Sequence, residues 1–121
     1  MNELFDALTA RAAQRERDKL EAKEFRIGDT AVKFCKLNPE KELEYYGKFS
    51  EASGTDELID LCTCLIYDSC PTLQEPELHK LLGIVDPLDR VRKLLTVHEI
   101  DVLGGDLMKW MGLISFEKIK N

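Results

Sequence analysis

Residues 1–23 combine helical spacing of apolar side chains with a high density of charge. Neither Gly nor Pro occurs in residues 2–23, and the good helix formers Ala, Glu, Arg, Lys and Leu dominate. Four apolar residues share one helical face: Leu4, Phe5, Leu8 and Ala12. Beyond Ala13 charge fills every face. The pattern predicts a charged N-terminal helix whose second half projects into solvent or docks on a partner.

Two short β-prone runs follow, residues 25–27 and 31–35, on either side of the pair Gly28-Asp29. This pair supplies the positive φ that a tight hairpin turn requires. Because two strands alone are marginally stable in water, the apolar side of the hairpin must rest on helices. The pattern predicts a β-hairpin over residues 24–37 with four inward side chains: Phe25, Ile27, Val32 and Phe34.

Helix-boundary signals divide residues 38–114 into a helical body. Helix starts are marked at Asn38-Pro39, Thr55, Pro76, Asp86-Pro87 and Thr96, and helix ends at Gly54, Pro71 and Gly83. Thr96 and Glu99 have the spacing of a capping box, which predicts a last helix from Val97 to about Met111. Each glycine of Gly104-Gly105 costs up to about 1 kcal/mol in a helix, so this pair should mark a kink or a close helix contact.

Apolar periodicity within these helices indicates the core. The strongest pattern, expected to form the central helix, comprises Leu58, Leu61, Cys62, Leu65 and Ile66. The flanking helices are expected to bury Leu43, Tyr46 and Phe49, and Leu88, Val91, Leu94 and Leu95. The predicted fold class is α+β and mostly α, a helical body with one short N-terminal β-hairpin. Its single domain, 1–121, comprises the helix 1–23, the hairpin 24–37, the body 38–114 and a tail 115–121.

The charge distribution argues against nucleic-acid binding. The formal net charge is -6, and acidic residues are concentrated at Glu40, Glu42, Glu44, Glu51, Asp56, Glu57 and Asp60. The basic cluster, Arg11, Arg15, Arg17, Lys19 and Lys23, is interleaved with acid and is typical of a solvated helix face. No signal peptide and no apolar run of about 18 residues is visible, so we expect a cytoplasmic protein with reduced cysteines and no membrane contact.

No catalytic, cofactor-binding or metal-binding site is predicted. Cys62 and Cys64 lie about 200° apart on one helix, so they cannot grip one zinc ion together with Cys70 unless the helix breaks. His79 and His98 stand at no recognised ligand spacing, and no nucleophile, phosphate-binding or metalloprotease motif occurs. We therefore expect buried structural thiols and a protein that is not an enzyme.

The apolar segment Leu107–Phe116 is the candidate partner-binding site, because one helix face cannot bury all of it. Leu107, Met111 and Ile114 can face the core and leave Met108 and Trp110 partly outward, where thioether and aromatic groups suit adaptable binding surfaces. The candidate residues are Leu107, Met108, Trp110, Met111, Ile114 and Phe116. The alternative, that these side chains simply close the core, remains open.

The C-terminal half contains a run of helix-boundary and apolar residues in a particular order: Asp86-Pro87, Arg90–Thr96, Glu99-Ile100 and Leu103-Gly104. With the charged helix and hairpin before it, the chain resembles the tail assembly chaperones of long-tailed phages and prophages, in particular the defective-prophage type. The likeness covers most of residues 24–114 and is strongest in 72–111.

The resemblance implies a non-enzymatic function in virion assembly. The protein would bind the long, apolar, helical tape measure protein and keep it soluble in the host cell cytoplasm while tail tube subunits assemble around it. The tail tube protein and a second copy of the chain are further implied partners. The main alternative is a small acidic intracellular adaptor or regulator that binds another protein. A thiol-dependent enzyme comes third.

Overall fold

The computed structural model describes residues 2–113, and its architecture is α+β and mostly α, as predicted. Helix α1 (Glu3–Lys19) leads into a hairpin of strands β1 (Ala22–Ile27) and β2 (Thr30–Cys35). The body consists of α2 (Pro39–Glu51), α3 (Thr55–Ser69), a 3₁₀ turn (Thr72–Gln74), α4 (Pro76–Leu82), α5 (Asp89–Leu94) and α6 (Val97–Met111).

The hairpin forms around the predicted turn. Phe25 pairs with Val32 and Ile27 with Thr30, which leaves Gly28 at φ 61° as the first turn residue. Phe34 is fully buried, and the other three predicted inward side chains are half-buried. The boundary before the hairpin differs from the prediction: α1 ends at Lys19, and residues 22 and 23 already belong to β1 because they pair with residues 35 and 34.

Helices α3 and α6 pack against each other and form the centre of the core. Cys62, Leu65 and Ile66 of α3 are buried, which confirms α3 as the central helix. Gly104 of α6 marks a close helix contact rather than a kink, since a Cβ atom placed there would lie 2.5 Å from the Cys62 Sγ. Gly105 has open space at the same position.

Of the three residues of α2 predicted to face inward, Phe49 is confirmed, whereas Leu43 and Tyr46 are wrong. Leu43 is 73% exposed and Tyr46 is 46% exposed, whereas Tyr45 and Phe49 are buried. The Tyr45 hydroxyl donates a hydrogen bond of 2.6 Å to the Asp68 carboxylate of α3, and this contact holds the Tyr45 face inward. Leu58 at 40% and Leu94 at 37% are likewise exposed rather than in the core, as both lie at the edges of their apolar stripes.

The pattern predicts Thr55 as the residue that caps α3, but the cap lies one residue earlier. Gly54, at φ 87°, is the capping residue, and Thr55 is the first helical residue. The Glu57 carboxylate accepts a hydrogen bond of 2.9 Å from the backbone amide of Ser53, so this amide, just before the helix, has an acceptor. The predicted boundaries are confirmed at Asn38, Gly83 and Thr96, the last with a complete capping box to Glu99. The start predicted at Asp86-Pro87 is wrong by two to three residues, because α5 begins at Asp89.

Candidate partner-binding surfaces

Most of the described part of the predicted C-terminal surface lies in the core. Leu107 and Met111 face inward as expected, but Met108 is only 9% exposed, so its predicted outward position is wrong. The stripe that α6 buries is wider than predicted and includes Leu107, Met108 and Met111, and α3 packs against this helix. The other two candidates, Ile114 and Phe116, lie outside the described residues.

Trp110 of α6 packs against the hairpin. Its ring is half-buried and lies 5.6 Å from the Phe25 ring, and its indole nitrogen donates a hydrogen bond of 3.1 Å to the Glu21 carboxylate. The Lys36 ammonium stands 5.5 Å from the ring centre and also pairs with Glu21 at 3.6 Å. The side chain is thus partly outward, as predicted, but its contacts are intramolecular.

A groove opens beside α6, on the side that faces the hairpin turn. Its volume is about 450 Å³, and its apolar lining comprises Phe25, Leu95, Val102 and Leu103. The same groove is also lined by one basic residue, Arg26, by two acidic residues, Glu99 and Asp106, and by His98. The sequence contains one signal for this site, because Val102 is an apolar residue outside the main apolar stripe of α6. In the structure Val102 is 49% exposed. We call this site the hairpin groove.

Helix α1 presents a second apolar surface. None of its side chains is buried, and Leu4, Phe5 and Leu8 are 62%, 64% and 58% exposed. Its C-terminal part approaches the body, where Arg15, Asp18 and Lys19 line a small cavity with residues that include Pro39 and Met111. The second half of α1, predicted to project into solvent or dock on a partner, therefore lies partly beside the body, whereas the apolar side chains of the first half are exposed.

The outer face of α2 and α3 forms a third surface. The exposed Leu43 and Tyr46 border a groove of about 250 Å³ that reaches Met111 and Leu113. Further along α2 a second cavity of about 400 Å³ lies against α3 and is lined by three acidic residues, Glu51, Glu57 and Asp60, and by Lys48. An apolar region and an acidic region therefore lie one after the other along the same helix.

The cysteines are shielded rather than activated. Burial raises the pKa of Cys62 to about 11 and, less strongly, raises the pKa values of Cys64 and Cys70. A raised pKa lowers the thiolate fraction near neutral pH, which opposes nucleophilic use of these groups. Within residues 2–113 no three His, Cys, Asp or Glu side chains are grouped so that they could hold a metal ion.

This shielding predicts slow alkylation of Cys62. A rise in pKa from 9.0 to about 11 lowers the thiolate fraction at pH 8 by about 100-fold. We therefore expect iodoacetamide to modify Cys62 at least about 100-fold more slowly in the folded protein than in urea. Peptide mass spectrometry over time would measure both rates. Equal rates would show that α3 and α6 do not enclose this thiol.

No helix in the described part of the chain is long and apolar enough to cross a membrane. The described residues thus offer three apolar surfaces outside the core, on α1, in the hairpin groove and on α2. Comparisons with protein-family models, with curated proteins and with solved structures found no match to this chain.

Proposed function

We propose that this protein is a phage or prophage tail assembly chaperone that binds the tape measure protein in the host cell cytoplasm and keeps it soluble, without enzymatic activity. The observation that carries the proposal is the hairpin groove, which has an apolar lining and charges of both signs. An amphipathic helix is recognised by this combination, because its apolar side chains enter the groove while its charged flanks remain near the rim.

The lining of the groove supports this proposal. Leu95 and Leu103 are buried and form its floor, while Val102 is 49% exposed and available to a ligand. On the rim, Arg26 of the hairpin carries the opposite charge to Glu99 and Asp106 of α6. Such a groove accepts a few aliphatic side chains at a time. A long, apolar, helical client would therefore be held by many modest contacts, each made by one chaperone.

A pair of valines on α6 tests the client site. Val102 lines the groove, whereas Val97 is 64% exposed and lies outside its lining. Val102→Gln should lower the amount of a co-expressed tape measure fragment held in solution by about tenfold, because the loss of one apolar contact of about 1.4 kcal/mol has that effect. Val97→Gln is the matched control and should leave client capture unchanged.

Both substitutions are exposed and should alter the free energy of unfolding by no more than about 0.5 kcal/mol. Equal capture by both variants would place the client elsewhere on the chain. Failure of the unmodified protein to hold any tape measure fragment in solution would contradict the proposed function itself. A gene neighbourhood without tail tube and tape measure genes would then favour an adaptor of another system.

A further inference from the structure

We propose that the hairpin groove selects a basic amphipathic helix, in which one aliphatic residue lies between two basic residues seven positions apart. The inference rests on the proposed function, because it names the chemistry of the client segment that the same site would bind. It starts from the two walls of the groove, which differ in charge. Helix α6 contributes two carboxylates, Glu99 and Asp106, and the hairpin contributes the guanidinium of Arg26.

The α6 wall presents an acidic, an apolar and an acidic residue in turn along one face of the helix. Glu99, Val102 and Asp106 occupy positions i, i+3 and i+7, so they share this face. The rise of an α-helix places Glu99 and Asp106 about 10 Å apart along the axis, with Val102 between them. Val102 is 49% exposed and Asp106 is also exposed, so both can contact a ligand.

Both carboxylates of this wall can receive a cation. Among residues 2–113 the Asp106 carboxylate accepts no hydrogen bond and pairs with no cation. Glu99 uses one oxygen within the helix, since its Oε1 accepts a hydrogen bond of 2.9 Å from the backbone amide of Thr96. This bond lowers the pKa of Glu99, which keeps the carboxylate negative at neutral pH and leaves its second oxygen for a ligand.

The opposite wall keeps its positive charge at the hairpin turn. The Arg26 guanidinium donates a hydrogen bond of 2.7 Å to the carbonyl oxygen of Asp29. In the described part of the chain no ion pair joins Arg26 to Glu99 or Asp106. With His98 neutral, the groove therefore carries two negative charges against one positive charge, and the negative charges lie on α6.

A basic helix that lies along α6 matches this pattern. Two Lys or Arg residues seven positions apart are about 10 Å apart along their own helix, so they can face Glu99 and Asp106 together. An aliphatic residue between them then contacts Val102 and the buried floor formed by Leu95 and Leu103. An acidic helix would bring like charges together, which disfavours binding. The net charge of -6 also attracts a basic segment at longer range.

Three synthetic peptides test the charge pattern. Each is an alanine-rich amphipathic helix of about 18 residues with the same leucines, long enough to form a helix when bound. The two positions that flank the central leucine carry lysine in the first peptide, glutamine in the second and glutamate in the third. Fluorescence anisotropy at low salt should find the lysine peptide bound about tenfold more tightly than the glutamine peptide, and the glutamate peptide bound more weakly than either. Added sodium chloride should reduce these differences.

Two aspartates of α6 provide a matched pair of protein variants. Asp106→Lys reverses a charge inside the groove, whereas Asp101→Lys makes the same change at an exposed residue outside its lining. Asp106→Lys should lower the affinity for the lysine peptide about tenfold and raise the affinity for the glutamate peptide. Asp101→Lys should leave both affinities within about twofold, since solvent and salt screen the more distant charge. Glu99 stays unchanged because its carboxylate caps α6.

Three results would overturn the inference: equal affinity for the three peptides, no binding of any of them, or equal effects of the two aspartate variants. Capture of a tape measure fragment judges the proposed function separately. A fragment that is held in solution equally well by the unmodified protein and by Asp106→Lys would remove the charge pattern and leave the function standing. Selective binding of the lysine peptide without capture of any fragment would support the charge pattern and contradict the function.

Discussion

Replacing Arg90 with methionine is expected to lower the free energy of unfolding by about 3–5 kcal/mol. Arg90 is only 5% exposed, and its guanidinium contacts the 3₁₀ turn, the residue before α4 and α4 itself. It donates hydrogen bonds to the carbonyl oxygens of Leu73 and Glu75 and to His79 Nδ1, and it lies 5.6 Å from the centre of the Tyr67 ring. Methionine replaces only the aliphatic stem of arginine, so the buried Leu73 carbonyl and the part-buried Glu75 carbonyl and His79 lose their donor.

The control for this prediction lies two residues away on the same helix. Arg92 is exposed and pairs only with Asp89 at 3.3 Å and Asp60 at 3.9 Å, so Arg92→Met should cost no more than about 1 kcal/mol. Arg90→Lys should fall between the two, because lysine keeps the charge but lacks the planar fork that reaches several acceptors. Urea denaturation would measure all three. An Arg90→Met protein as stable as the unmodified one would mean that water reaches these carbonyls.

Two adjacent glycines of α6 are expected to respond to alanine in opposite directions. A Cβ atom at Gly104 would lie 2.5 Å from the Sγ, 2.6 Å from the Cβ and 3.3 Å from the Cα of Cys62. The Sγ could rotate away, but the Cβ of Cys62 is fixed to the backbone of α3, so α3 and α6 must move apart. Overpacking of this kind costs about 1–3 kcal/mol, occasionally more, and we expect Gly104→Ala to lose about 2 kcal/mol despite the helix preference of alanine.

Gly105→Ala is the matched control, because nothing lies within 4 Å of the added atom. It should stabilise the protein by about 0.5–1 kcal/mol, as alanine restricts the unfolded chain and favours the helix. Adding Cys62→Ala to Gly104→Ala should recover only part of the loss, since the Cys62 Cβ contact remains. Thermal unfolding followed at 222 nm would rank the variants. Equal effects at both glycines would contradict the close contact between α3 and α6.

The functional surfaces were harder to predict from the chain than the fold. The pattern pointed to an excess of apolar side chains near the C-terminus, but it could not show that Met108 is buried or that Trp110 contacts Phe25 of the hairpin. The hairpin groove combines Phe25 with Val102, residues far apart in sequence that become neighbours only when the hairpin lies on α6. No local signal can encode such a pairing.

The helices, the hairpin and most of their ends follow from local patterns in the chain. The cap at Asn38, the turn at Gly28 and the capping box of Thr96 and Glu99 act between residues a few positions apart, so they can be read directly. Only the tertiary structure decided that Tyr45 rather than Tyr46 is buried, that Gly104 and not Gly105 touches α3, and that Arg90 lies inside. Adjacent helical residues point about 100° apart, and the choice between them depends on a neighbouring element that the local pattern does not contain.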